Sequence, residues 1–336
     1  MGKYRNFVLV AMFISFIVLL GCSNKTAKEQ ELEKQVEELQ KELAAQQEKE
    51  IEKETDEEVP IEEEKPAQIE VIDPNTKEVV TMFKPEEMGF GTDNELYEAE
   101  LKSWAKELAR GTETTEGYDQ RMIPDKLGPD GEIIKGSPRV ILDEAELVEK
   151  VVAASEKGGV VELPLYITES GYNPEEVTQL NEVVVASYTT YFDTSVAGRS
   201  KNIELSAEAI NNVIVGVGDI FSFNTTVGPS DAEHGYQKAM EAVNGKLVEG
   251  IGGGICQTSS TLFNAVDHLA VDYVEKHHHS VSVGYVPNGR DATVSYGGLD
   301  FRFQNTTNVP LLLKAVINGG ALTVEVRTSK ANQSQL

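Results

Sequence analysis

Cysteine, histidine and positive charge are scarce in this chain, and each scarcity excludes something. The 336 residues hold two cysteines, five histidines and one tryptophan. Two cysteines cannot build a disulfide framework, and they form no Cys-x-x-Cys pair of the kind that marks many zinc sites. Thirty Lys and Arg stand against 56 Asp and Glu, a formal net charge of −26. Nucleic-acid binders show a basic face, so this balance argues against a nucleic-acid partner. It also argues against simple electrostatic adhesion to anionic lipid or wall polymers. The imbalance is uneven: residues 23–66 carry 7 Lys against 16 acidic residues, whereas residues 200–336 carry 9 Lys and Arg against 13.

Long apolar runs are equally rare. The one of note opens the chain, "MGKYRNFVLVAMFISFIVLLGC". Lys3 and Arg5 precede an apolar stretch from Phe7 to Leu20, and Leu19-Leu20-Gly21-Cys22 ends it, the organisation of a secretory signal. The ending resembles the bacterial lipobox, which implies a signal peptide over 1–21, cleavage before Cys22 and lipidation of its sulfur. An uncleaved membrane anchor is the alternative, since the run is near the short end for a spanning helix. Either reading puts the remainder outside the cytoplasm, on the outer face of the cytoplasmic membrane. With Cys22 acylated, Cys256 has no disulfide partner within the chain. It is then a reactive thiol, an intermolecular bridge, or a small buried hydrophobe.

Residues 22–66 read as a lipid-anchored acidic stalk, partly helical or disordered. Leu32, Val36, Leu39 and Leu43 keep a 4-3-4 spacing, but Gln46 and Glu50 break the seam. Two heptads fall short of a convincing coiled coil, with a short dimeric coil as the alternative. Residues 67–180 read as a small α/β module. "TDNELYEAELKSWAKELARG" is an amphipathic helix with Leu96, Leu101, Trp104 and Leu108 largely on one face, capped by Asp93 or Thr92 and ended by Gly111. Asp143 and Glu146 form a capping-box-like start to a second helix with Leu147, Val148, Val151 and Val152 inward. Gly158-Gly159 stops it before an alternating strand.

Residues 181–327 read as one α+β domain with a mixed or antiparallel sheet, followed by a tail over 328–336. "EVVVASYTTYF" is a strand, Ser206 caps a short helix around "AEAINNVI", and "GDIFSFN" turns into a strand. A central helix runs from Cys256 to about Ala270. "HSVSVGYV", "ATVSY", "LDFRFQN", "LLLKAVIN" and "ALTVEV" follow as strands, with a hairpin at Asn318-Gly319-Gly320.

The stretch "GIGGGICQTSSTLFNA" (250–265) places Cys256 at a helix start behind three glycines. A helix N-terminus favours the thiolate, glycines let a ligand approach backbone, and free N–H groups receive an oxyanion. Downstream lie His277, His278 and His279 in "EKHHHSVSVGYV", then Asp291 and Asp300. On a strand, His277 and His279 share one face and His278 takes the other. Cysteine, histidine and acid in that chain order suit a thiol enzyme, with Cys256 as nucleophile, His279 or His277 as base, and Asp291 or Asp300 as orienting acid. Two plainer readings remain open: a zinc site from Cys256, His277 and His279, or a glycine turn with Cys256 and Gln257 packed beneath it. His234 and His268 carry less weight, His268 falling on the solvent side of the helix.

Taken together, "GDIFSFNTTVGP", "GYQKA", "GIGGGICQTSSTLFNA" and "HHHSVSVGYVPNGRDATVSYGGLDFRFQN" resemble the VanW family over about residues 185–327, and "SYTTYF" with "GRSKNI" fits its opening segment. Val217 stands where the family usually has proline, and Lys276 where it often has arginine. The resemblance implies a site drawn from Phe221, Ser222, Phe223 and Asn224, from Gly252, Gly253, Gly254, Cys256 and Gln257, and from His277, His279, Ser280, Asp291 and Asp300. It points to the Gram-positive envelope, to glycopeptide-resistance clusters, and to peptidoglycan or its peptides as partner, without a settled reaction. The segment before it faintly resembles the peptidoglycan-binding module that often precedes this domain. The expected function is thus a surface lipoprotein acting on peptidoglycan by acyl transfer, or a noncatalytic wall-binding or scaffold module, with no metal or other cofactor.

The lipobox reading predicts that Cys22→Ala abolishes incorporation of a palmitate analogue in labelled cells and hinders processing. Equal label on both forms refutes it.

Overall fold

The computed structural model describes residues 31–32, 34–45, 67–243 and 246–336. The signal-like run, Cys22 and residues 46–66 of the expected stalk lie outside these. The chain divides into two units, 1–65 and 66–336. In the first, residues 34–45 are helical (α1). The seam residues Leu32, Val36, Leu39 and Leu43 are all exposed.

The second unit is α+β. Its strands are β1 (Ile69–Ile72), β2 (Val79–Phe83), β3 (Lys126–Leu127), β4 (Ile133–Ile134), β5 (Arg139–Leu142), β6 (Gly159–Glu162), β7 (Leu165–Thr168) and β8 (Val183–Tyr191). They continue as β9 (Val213–Val215), β10 (Ile220–Ser222), β11 (Lys238–Val243), β12 (Lys246–Ile251), β13 (Val271–Glu275), β14 (Arg302–Asn305), β15 (Leu311–Asn318) and β16 (Ala321–Thr328). The helices are α2 (Asn94–Arg110), α3 (Glu144–Ala154), α4 (Ala197–Ile210), α5 (Phe223–Val227) and α6 (Ile255–Val266).

Helices α2 and α3 begin where their caps predict. Asp93 Oδ1 accepts from Leu96 N at 3.1 Å, and Asp143 Oδ1 from Glu146 N at 2.9 Å. The buried stripe of α2 is Tyr97, Leu101, Ala105 and Ala109, whereas Leu96 is exposed. The small alanines let α2 lie close to α3 and the β2-β1-β6 sheet, where Leu147, Val151, Val71 and Val161 complete one core.

A six-stranded antiparallel sheet, ordered β4-β3-β9-β15-β16-β8, forms the second core. Strand β3 pairs with β9 through Lys126↔Val213, so residues before 181 enter this sheet. The boundary expected between 180 and 181 therefore falls inside one compact unit. The hairpin joining β15 to β16 pairs Asn318 with Ala321. Gly319 and Gly320 between them take φ of 57° and 85°, the left-handed pair that a two-residue turn matching strand twist requires.

Three local expectations are corrected. Helix α4 starts at Ala197, so Ser206 is interior and not a cap; its buried hydroxyl donates to Asn202 O at 2.9 Å. The strand expected within "GDIFSFN" ends at Ser222, and Phe223 and Asn224 instead begin a short helix (α5). "HSVSVGYV" and "ATVSY" are not strands, because residues 277–300 carry no ladder. Their backbone groups are met by side chains instead, as described below.

Asn305 shows how this core tolerates amides. It is fully buried, and its Nδ2 donates to Val215 O, Gly216 O and Val309 O at 3.0, 3.0 and 2.9 Å. Asn305→Leu leaves those carbonyls without a donor in a dry interior. A loss of about 2–4 kcal/mol is expected, read as a lower urea midpoint at unchanged slope.

Candidate functional site

Helix α6 is buried along nearly its whole length, although Gln257, Thr258, Ser259, Ser260, Thr261 and Asn264 are polar. Each finds a partner. Thr261 pairs with Thr190 of β8 at 2.8 Å, and Thr258 with Ser206 of α4 at 2.7 Å. The opposite side meets the extended segment 290–294. Cys256 Sγ donates to Val294 O at 3.4 Å, Ser259 Oγ donates to Ala292 O, and Ser260 Oγ accepts from Ala292 N at 2.9 Å. Asn264 exchanges two bonds with Arg290, each 2.7 Å. Residues 256, 260 and 264 thus read residues 294, 292 and 290. Four helical residues rise about 6.0 Å, and two extended residues span about 6.6 Å, so the spacings match. Helix side chains here replace a neighbouring strand.

The same segment carries Asp291 on its other side. Asp291 Oδ2 accepts from His279 N and contacts His279 Nδ1, both at 2.7 Å, while Oδ1 contacts His278 Nδ1 at 2.9 Å. Burial would raise this carboxyl, but the His279 N–H and the two imidazoles outweigh it and hold it down at about 2. His278 and His279 therefore converge on one acid instead of splitting between faces, since no strand alternates them. His277 lies apart, its Nε2 on Glu275 Oε1 at 3.0 Å. Ser280 is exposed.

A cleft of about 1000 Å3 opens at the start of α6. Gly252, Gly253, Gly254, Cys256, Gln257, His279, Phe223 and Asn224 line it; Phe221, Ser222, His277, Ser280, Asp291 and Asp300 do not. Phe221 stacks on Phe303 in the core with ring centroids 5.2 Å apart. Ser222 caps α5 through Thr225 N at 3.2 Å and donates to Asp300 Oδ2 at 2.6 Å. Asp300 also accepts from Asn224 N at 2.9 Å and Arg121 Nη1 at 3.0 Å, while its backbone N shares Glu275 Oε1 with His277, so its carboxylate braces the cleft wall and orients no histidine.

The glycines of the loop are required by packing. Gly254 takes φ of 118°, and a Cβ there would lie 3.1 Å from Ile203 Cγ1 and 3.2 Å from Arg199 O. A Cβ on Gly253 would lie 2.6 Å from Met240 O. They bring α6 against α4 and the β11–β12 hairpin.

The Cys256 thiol differs from the expectation. Burial pushes its pKa up, with bonding to Val294 O a lesser opposing influence. Desolvation disfavours the thiolate more than the helix start favours it. Among the described residues, no histidine nitrogen hydrogen-bonds to the sulfur, although His279 shares its cleft. No group of three or more His, Cys, Asp and Glu is arranged for a metal ion among the described residues.

Two charged residues of the cleft were not singled out by motif. Arg199 sits in "GRSKNI" on the first turn of α4 and donates to Gln257 Oε1 at 2.8 Å. Glu241 reaches the cleft from β11, and burial raises its pKa. Only the closeness of Arg199 to a recognisable motif hinted at either.

Residues 198–327 match the family described as VanW like protein. The chain is 42% identical over 212 residues to YoaR of Bacillus subtilis (strain 168), described as uncharacterized, covering 62% of this chain and 70% of that protein. It is 29% identical over 138 residues to the vancomycin B-type resistance protein VanW of Enterococcus faecalis (strain ATCC 700802 / V583), covering 40% of this chain and 50% of that one. No solved structure matches the chain.

Two outcomes follow from the charges. Iodoacetamide should alkylate Cys256 more slowly at pH 7 than it alkylates a free cysteine peptide, with a midpoint above the ordinary thiol value of about 8.5; a midpoint below it refutes the burial argument. Asp291 titrates lower folded than unfolded, so its contribution is complete above about pH 4 and lost as pH falls toward 2. Asp291→Asn should flatten that part of the urea-midpoint profile and lower the midpoint at neutral pH.

Proposed function

The chain belongs to the VanW family, and from that premise we propose that it is a noncatalytic, lipid-anchored surface module. In this reading it holds peptidoglycan peptides in the cleft before α6. The observation that carries it is the state of Cys256. The thiol is a donor to Val294 O within a ladder of side chains from α6, no histidine nitrogen hydrogen-bonds to it among the described residues, and burial pushes its pKa up. A nucleophile needs the opposite on both counts. The cleft itself is of a size that suits a short peptide, with apolar Val281, Leu299 and Tyr296 beside Arg199 and Glu241. The anchor rests on the lipobox-like sequence ending at Cys22.

A second reading, acyl transfer by a Cys256–His279–Asp291 triad, is favoured by one feature. His279 shares the cleft with Cys256, and Asp291 orients its ring through Nδ1. Such contacts often tighten only with substrate present.

Cys256→Ser separates the two. The binding reading predicts that purified cell-wall fragments sediment the variant as well as wild type, and that neither form releases soluble muropeptides. Release by wild type and its loss in the variant would replace this reading with the triad.

A further inference from the structure

The charges of the cleft specify more than its size does. Arg199 is half-buried and makes no ion pair with any described carboxylate; its guanidinium lies 5.8 Å from the centre of the Tyr285 ring, and it donates to the neutral Gln257. That partner is itself fixed. Gln257 Nε2 donates to Thr190 Oγ1 and Tyr191 O, both at 3.0 Å, which leaves only Oε1 for the guanidinium. Gln257 therefore aims Arg199 without neutralising it. A desolvated cation without a counter-charge is costly, and a planar fork of donors matches a carboxylate.

The helix starts add to this. Helices α2, α3 and α5 each begin on a side-chain cap, Asp93, Asp143 and Ser222. Helices α4 and α6 begin at Val196 and Gly254 with no side-chain cap, and both starts line the cleft beside Arg199. At α6, Ile255 N and Gln257 N already donate to Gly252 O and Gly254 O at 3.1 and 2.9 Å, so it is the uncapped start of α4 that favours negative charge here. One lining hydroxyl, Thr293 Oγ1, is closed off from solvent and lacks a hydrogen-bond partner among the described residues. Glu241 supplies one further constraint: it forms no ion pair with a described residue, and a carboxylate in the cleft opposes a polyanion such as a phosphate polymer. A single carboxylate on a ligand that also carries an amino group satisfies both charges.

We propose that the cleft selects peptides by their free C-terminal carboxylate, received by Arg199 at the uncapped start of α4, while Glu241 takes an amino group of the same ligand. This rests on the reading of the cleft as a peptide site and names the ligand's chemistry.

The test is calorimetric titration of the full chain with tri-alanine, as free acid and as C-terminal amide. Each is used in all-L form and with D-alanine at the last two positions. At least one free acid should bind wild type about tenfold or more tightly than its amide. Arg199→Gln should erase that gap. Arg199→Lys keeps the charge but loses the fork, so it should narrow the gap, and it carries the test if Arg199→Gln does not fold. Glu241→Gln should weaken binding of the free-amine peptide and leave its N-acetyl form unchanged. Equal binding of acid and amide, or no binding of either acid, overturns the proposal. Sedimentation with wall fragments distinguishes the two readings. Fragments that bind wild type and Arg199→Gln alike overturn the carboxylate assignment and leave wall binding standing. Acid-selective tri-alanine binding by a chain that does not sediment with walls overturns wall binding alone.

Discussion

A helix buried on nearly every side cannot leave its hydroxyls and amides unpaired, and α6 meets that demand by holding a length of extended chain with its side chains. Cys256, Ser260 and Asn264 fall at successive turns of one face and meet Val294, Ala292 and Arg290 in reverse order. Everything at the cleft depends on this. Once residues 290–294 are held, Asp291 is presented to the histidines and Val294 to the thiol. The wall that carries Thr293 and Ser295 is set by the same bonds. An apolar helix would pack as well but would leave Arg290 O, Ala292 N and O, and Val294 O without these partners, and unmet backbone groups are what a buried interior tolerates least.

The helix start has two opposed influences on the thiol, and magnitude decides between them. The partial charge of an exposed helix terminus is worth roughly 0.3–1 kcal/mol, whereas desolvation of an ionised side chain reaches several. At Cys256 desolvation prevails and the direction is upward. The glycines that seemed to open the site to a ligand have a second duty. They let α6 come against α4 and the β11–β12 hairpin.

Legibility in the sequence followed the source of each element's stability. Asp93, Asp143 and the Gly319-Gly320 turn act within a few residues, so α2, α3 and the β15–β16 hairpin stand where local chemistry puts them. Helix α4 was misjudged because Asn202 and Ser206 are buried in it; its stabilising contacts, such as Asn202 Nδ2 to Gln237 O and Gly253 O, are distant in sequence. Residues 277–300 alternate like strands, yet their partners are side chains, which no period of two discloses. The glycine loop, Cys256, Gln257 and His279 were visible as cleft residues from motif. Arg199 and Glu241 were not, since an arginine on a helix and a glutamate in a hairpin look like surface until a cavity is seen between them.

The order β4-β3-β9-β15-β16-β8 has a consequence for how the chain acquires its shape. The two strands that separate β9 from β8 in the larger sheet, β15 and β16, are the last of its six strands to be synthesised. Strand β8 pairs only with β16, and its first residue, Val183, meets Thr328. Until the ribosome has made residues 311–328, β8 and β9 have no strand between them, and the core on that face stays open. Contacts of such long sequence separation make for slow folding and leave apolar surface uncovered in the meantime. The smaller β2-β1-β6 layer, with α2 and α3, draws its strands and helices from residues 69–162 alone, so its core needs none of the residues that β8 and β9 must wait for.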